Sequence, residues 1–86
     1  MNPTLTTNVK DFLEYIVKSI VNDPLSVFIE RDMNSLEETY TIHVGPKDMG
    51  ILIGKGGKNI NSIRNLASIK SIPTRIFIHV AEQEPV

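Results

Sequence analysis

The sequence has no cysteine. That excludes disulfides, thiol chemistry and cysteine-ligated zinc, and nothing points to an oxidising compartment. It has no apolar run near the roughly 20 residues needed to span a bilayer. Its first residues lack the charged-then-apolar pattern of a signal peptide. Internal repeats and low-complexity stretches are absent. No paired carboxylates and no nucleophile–base pair stand out, and neither His43 nor His79 has a cysteine or a second histidine at ligand spacing. With 86 residues there is length for one domain and a modest core, not for a large catalytic cleft. The expectation is a cytoplasmic, non-catalytic protein with no metal, no cofactor and no membrane contact.

What is present begins with the distribution of charge. The net charge is −1, which by itself gives no support to nucleic-acid binding. Residues 1–46 hold three basic and seven acidic side chains. Residues 47–81 hold Lys47, Lys55, Lys58, Arg64, Lys70 and Arg75 against Asp48 alone, and Glu82 and Glu84 follow. A basic half suggests an anionic partner on that side of the molecule; ordinary surface charge that happens to segregate is the competing reading.

Periodicity supplies the elements. Val9, Phe12, Leu13, Ile16, Val17, Ile20 and Val21 recur at helical spacing, with Thr7 or Asn8 as cap and Asn22-Asp23-Pro24 as stop. Val27–Arg31 reads as a strand, 32–35 as a turn, and Thr39–Val44 alternates with period two as a second strand. Pro46 suits the first turn of a short helix running to Ile53. Lys58 opens another helix, with Ile60, Ile63 and Ala67 inward; its many asparagines and serines make it weak by propensity, so it needs tertiary support. Ser71-Ile72-Pro73 ends it, and Arg75–Val80 reads as a third strand. The predicted class is α+β, in the order α-β-β-α-α-β. It consists of one domain over residues 8–80 with flexible termini at 1–7 and 81–86. The hairpin pairs antiparallel and the crossover favours a parallel pair, which gives a mixed three-stranded sheet with three helices on one face.

The two central helices are joined by Gly54-Lys55-Gly56-Gly57, with Lys58 next. Glycines let a backbone approach a ligand closely, and lysines attract anions. A mononucleotide P-loop needs glycine where Lys55 stands, counting from Gly50, and a Ser or Thr after the lysine; both requirements fail. The dinucleotide fingerprint fails because Asn59 holds the third glycine site and a helix, not a strand, precedes the loop. Gly-x-x-Gly between two helices remains, and this is the backbone clamp of KH domains, which holds about four nucleotides of single-stranded nucleic acid.

With this element order the chain resembles a type II KH domain. The strings Pro46-Lys47-Asp48-Met49-Gly50 and Ile53-Gly54-Lys55-Gly56-Gly57-Lys58, followed by Ile63-Arg64, resemble the KhpA family of small bacterial single-KH proteins. The resemblance implies a single-stranded RNA-binding protein that acts as an RNA chaperone or post-transcriptional regulator. It also implies a homodimer, or a heterodimer with a KhpB-like KH protein. The chain departs from the family where the helix after the loop is rich in asparagine, and where Asn61 stands at a position commonly basic.

On this reading the N–H groups of Lys55 and Gly56, and those opening the helix at Lys58, face phosphates. Gly54 and Gly57 leave room for the sugar–phosphate chain. Lys55 and Lys58 add charge, Arg64 extends the strip two turns along the helix, and Arg75 starts the strand flanking the groove. Ile53 and Ile60 form an apolar floor, with plain core packing as their competing role; Lys47 and Lys70 read as solvated surface. Two other functions compete: a protein-interaction or dimerisation subunit with a weak RNA groove, and a nucleotide-using enzyme resting only on glycines and lysines.

Overall fold

Asn8 opens the first helix: its side-chain Oδ1 accepts the Asp11 N–H at 2.9 Å, satisfying one of the donors a helix start leaves free. Helix α1 (Val9–Ile20) buries Val9, Leu13 and Val17, and Glu14 and Lys18 pair on its solvent side at 2.7 Å. Val21 leaves the helix in extended conformation, and Pro24 starts a 3₁₀ turn, Pro24–Ser26, that turns the chain into the sheet. The computed structural model describes residues 8–33, 37–71 and 75–82. Thr7, the turn expected at Asn34-Ser35, the stop at Ile72-Pro73 and the outermost termini lie outside them.

Strands β1 (Phe28–Met33) and β2 (Glu38–Val44) pair antiparallel, from Phe28 opposite His43 to Met33 opposite Glu38. Asp32 and Met33, expected in the turn, are strand residues. The ladder continues through them because Thr39 and Glu38 lie opposite, and pairing overrides the turn preference of aspartate. Strand β3 (Ile76–Glu82) runs parallel to β2, from Glu38 opposite Ile76 to Val44 opposite Glu82, in a sheet ordered β1-β2-β3. It starts one residue after Arg75 and extends through Ala81 and Glu82, which were expected in a loose tail. Both strands are seven residues long, so β2 offers partners to the end.

The period-two pattern of β2 sets the faces. Tyr40, Ile42 and Val44 are buried beneath the helices with Ile29 and Ile78, joined by Leu52, Ile60, Ile63 and Ala67. The buried Tyr40 hydroxyl donates to Glu38 at 2.8 Å, and Glu38 also accepts from Arg31 at 2.9 Å. Burial, then the Glu38 bond, pushes the Tyr40 phenol up to about 12. Phe28 stacks on His43 on the helix-free face, centroids 4.3 Å apart, and His43 Nε2 meets Glu30 at 2.8 Å. Phe77 belongs to the same face, opposite Thr39.

The short central helix is not one regular helix. Pro46–Asp48 form a 3₁₀ turn, and α2 proper is Met49–Ile53. Asp48 is the cause. It is 1 % exposed, and its two carboxylate oxygens accept the N–H groups of Asn22 and Asp23 at 3.0 and 2.9 Å. That tether holds the first turn tight, with the Asp48 N–H bonded to Gly45 O at 2.9 Å. Helix α3 (Lys58–Ser71) then crosses back over the sheet.

Candidate nucleic-acid interface

The loop between α2 and α3 is built from three glycines in the left-handed half of conformational space. Gly54 has φ 78°, Gly56 φ 64° and Gly57 φ 80°, and no other described residue has positive φ. The Gly54 N–H closes α2 on Gly50 O at 2.8 Å, and the Gly57 N–H bonds to Gly54 O at 3.1 Å. The Lys58 N–H bonds to Lys55 O, making Lys55–Gly57 a single 3₁₀ turn.

Each glycine has its own reason. A Cβ on Gly54 would stand 2.7 Å from the Asn59 Cγ and 2.8 Å from the Asn59 backbone nitrogen. Asn59 is held there because its Nδ2 donates to the Ile51 carbonyl at 2.7 Å, satisfying one of the acceptors left open at the end of α2. At Gly57 the nearest neighbour is the Asn61 side chain, at an ordinary 3.5 Å. At Gly56 a Cβ would meet nothing within 4 Å: this is the outer tip of the loop. The N–H groups of Lys55 and Gly56 take no part in the loop's own hydrogen bonds. The expectation for Lys58 is corrected, since its N–H is turned into the loop; what it offers a ligand is its exposed ammonium.

Ile53, Gly54, Lys55, Gly56, Gly57 and Lys58 therefore come together in one turn, with Lys55, Gly56 and Lys58 exposed. Ile60 does not join them as a surface: it is 5 % exposed and packs in the core, while Ile53 is half-buried against it. Arg64 lies along α3 as expected, but its guanidinium is not free-standing. Nε and Nη2 donate to the Ile78 carbonyl at 3.3 and 3.1 Å, and Nη1 to Asn61 Oδ1 at 3.5 Å. Strand β3 is an edge strand, whose outward carbonyls lack partners within the sheet; Arg64 covers one of them. Arg75 sits at the far end. Its carbonyl accepts from Glu38 N–H where β2 begins, and the loop lies about 20 Å away at the other end of α3.

Between α3 and β3 runs an open groove of about 340 Å³, lined by Arg64, Ser68, Ile76, Phe77, Ile78 and His79. Its strand side is the β3 edge rather than the isoleucines of the helices. Sequence reasoning missed Ser68 and the fixing role of Asn59. Ser68 carried a signal, four residues after Arg64 and hence one turn along the same helical face; Asn59 read only as a poor helix former.

A family model described as KhpA/KhpB, KH domain matches residues 10–71. This chain belongs to the KhpA/KhpB KH-domain family. The matched segment runs from α1 to the end of α3 and includes the glycine loop, Arg64 and Ser68. Among proteins similar to it, the RNA-binding protein KhpA of Chlamydia caviae is 40 % identical over 72 residues, covering 84 % of this chain and 90 % of that protein. The KhpA of Chlamydia trachomatis is 38 % identical over the same shares. That of Mycobacterium leprae is 33 % identical over 64 residues, covering 74 % of this chain and 80 % of the relative. These relatives are bacterial and carry the name RNA-binding protein. The fold is the type II KH arrangement that the element order predicts.

Proposed function

We propose that this KhpA/KhpB-family chain binds single-stranded RNA without catalysis, clamping about four nucleotides from the glycine loop along the α3–β3 groove. The observation that carries this is the loop itself. Two N–H groups that bond to nothing among the described residues, those of Lys55 and Gly56, sit at a tip where Gly56 faces open space, flanked by the exposed ammonium groups of Lys55 and Lys58. Backbone donors grip phosphate oxygens in any sequence, and the lysines hold the charge. Relatives named RNA-binding proteins support the same reading. No helix among the described residues is long and apolar enough to cross a membrane, in keeping with a role as a cytoplasmic RNA chaperone or post-transcriptional regulator.

Replacing Lys55 and Gly56 together by aspartate tests it. Aspartate is among the few residues that visit the left-handed region, so the variant should keep its circular dichroism while losing retention of single-stranded RNA on a filter. A folded variant that binds RNA as before sinks the proposal.

A second reading is favoured by Leu66 and Ile69, 48 % and 67 % exposed on α3. An apolar stripe on a helix suits pairing with a second copy or a KhpB-like KH protein, and one domain binding weakly gains avidity from a paired one. RNA-free protein in a stable complex, with no oligonucleotide affinity, would make pairing the whole function.

A further inference from the structure

Arg64 has more hydrogen-bonding capacity than its protein partners use. A guanidinium carries five N–H groups in a fixed plane. One on Nε and one on Nη2 go to the Ile78 carbonyl, and one on Nη1 goes to Asn61 Oδ1. One N–H on Nη1 and one on Nη2 remain. The plane is held from two sides, by β3 and by α3's own preceding turn, so this remaining pair is oriented before any ligand arrives. It belongs to the residue that lines the groove with Ser68, Ile76, Ile78 and His79, and no carboxylate is among the described residues that line it.

This step rests on the RNA-binding reading, in which phosphates are held at the loop. Arg64 is six residues, about 9 Å, along α3 from Lys58, past the clamp and where bases would lie. Two N–H groups on adjacent nitrogens of one plane match two adjacent acceptors. Guanine presents such a pair in O6 and N7, and cytosine presents O2 and N3 on the edge that a single strand leaves open. Adenine sets an amino donor beside N7, and uracil sets N3–H between its two carbonyls, so either would bring donor against donor. A polar group left unpaired on binding is costly, which turns the mismatch into discrimination.

We propose that Arg64 is the specificity-determining residue of the groove, selecting a base with two adjacent acceptors, guanine or cytosine, over adenine and uracil. Asn61 is then a positioning residue that helps fix the fork, which gives a use to its departure from the usual basic side chain.

The experiment compares fluorescence anisotropy of four labelled RNA octamers, oligouridine and the same strand with one central G, C or A. The wild-type protein should bind the G or the C octamer about tenfold more tightly than the other two, in line with one bidentate pair, and the two arms show which base is taken. In Arg64→Lys, which keeps the charge and loses the planar fork, the ratio should collapse towards one. Equal binding of all four by the wild type, or an undiminished ratio in folded Arg64→Lys, overturns the proposal. So does a uniform loss across all four with a lowered melting temperature, the mark of an arginine that only seals the β3 edge. If the ratio is one while the Lys55/Gly56 aspartate variant still abolishes binding, the RNA-binding reading stands and base selection by Arg64 falls. If no octamer binds at low salt, both fall.

Discussion

Gly54 and Gly56 share a positive φ and differ in what surrounds them, and substitution should separate the two. At Gly54 the backbone, φ 78° and ψ 170°, lies in a region essentially restricted to glycine, and a Cβ would run into the Asn59 side chain and backbone. Gly54→Ala is expected to cost about 2–4 kcal/mol, from backbone strain and overpacking together, read as a lowered urea midpoint. Truncating Asn59 as well should not rescue it, because the Asn59 backbone nitrogen would still be 2.8 Å away. At Gly56, φ 64° and ψ 18° in open space, Asn should cost no more than about 1 kcal/mol. Equal losses at the two sites would refute this division. The presence of glycines at these positions was legible in the sequence, but their individual reasons were not. Asn59 acts on Gly54 from across the loop, and a propensity scale weighs a residue only against its own helix.

Among the elements, those that follow from local pattern were legible: α1 from its stripe, β2 from its alternation, α3 from three inward residues, and the crossover from their order. Their edges were set by partners distant in sequence. Strands β1 and β3 run two residues past their expected ends because β2 pairs with them to its own limits. The short central helix splits because Asp48 reaches back to Asn22 and Asp23, contacts no periodicity can show. In the sequence Asp48 was merely the one acid in a basic half; in the fold it ties the end of α1 to the start of α2. Asp48→Ala leaves two N–H groups without their acceptor, at a cost of about 2–4 kcal/mol. Asp48→Asn keeps one acceptor oxygen and should lose about half as much. Denaturant unfolding of both variants gives the comparison, and an alanine variant within about 0.5 kcal/mol of wild type, the range of a neutral surface change, would show that the tether does not hold these elements.

At the scale of the whole molecule, the division of charge gains meaning from that same burial. Six basic side chains between residues 47 and 81 faced one carboxylate in the sequence. That carboxylate is inside with both oxygens engaged, so it does not offset them at the surface. The basic residues are not all at one place. Lys55 and Lys58 flank the loop, Arg64 borders the groove, Lys70 lies over the Phe12 ring at 5.5 Å, and Arg75 is at the far end. A short RNA held at the loop therefore meets two of these charges, Lys55 and Lys58, at its phosphates, with Arg64 turned to a base, and its salt dependence should say so. For a single strand the slope of log affinity against log salt is about −0.7 per phosphate contact, so two contacts give about −1.4, a loss of about sevenfold between 50 and 200 mM salt. Lys55→Ala and Lys58→Ala should each make the slope shallower by about 0.7. Arg64→Lys should leave it near the wild-type value, since the charge remains and only the fork is lost. A wild-type slope near zero would mean that the loop holds no phosphate. A slope near −3 would mean that Lys70 and Arg75 share the strand with the loop, and that the RNA runs the full length of α3.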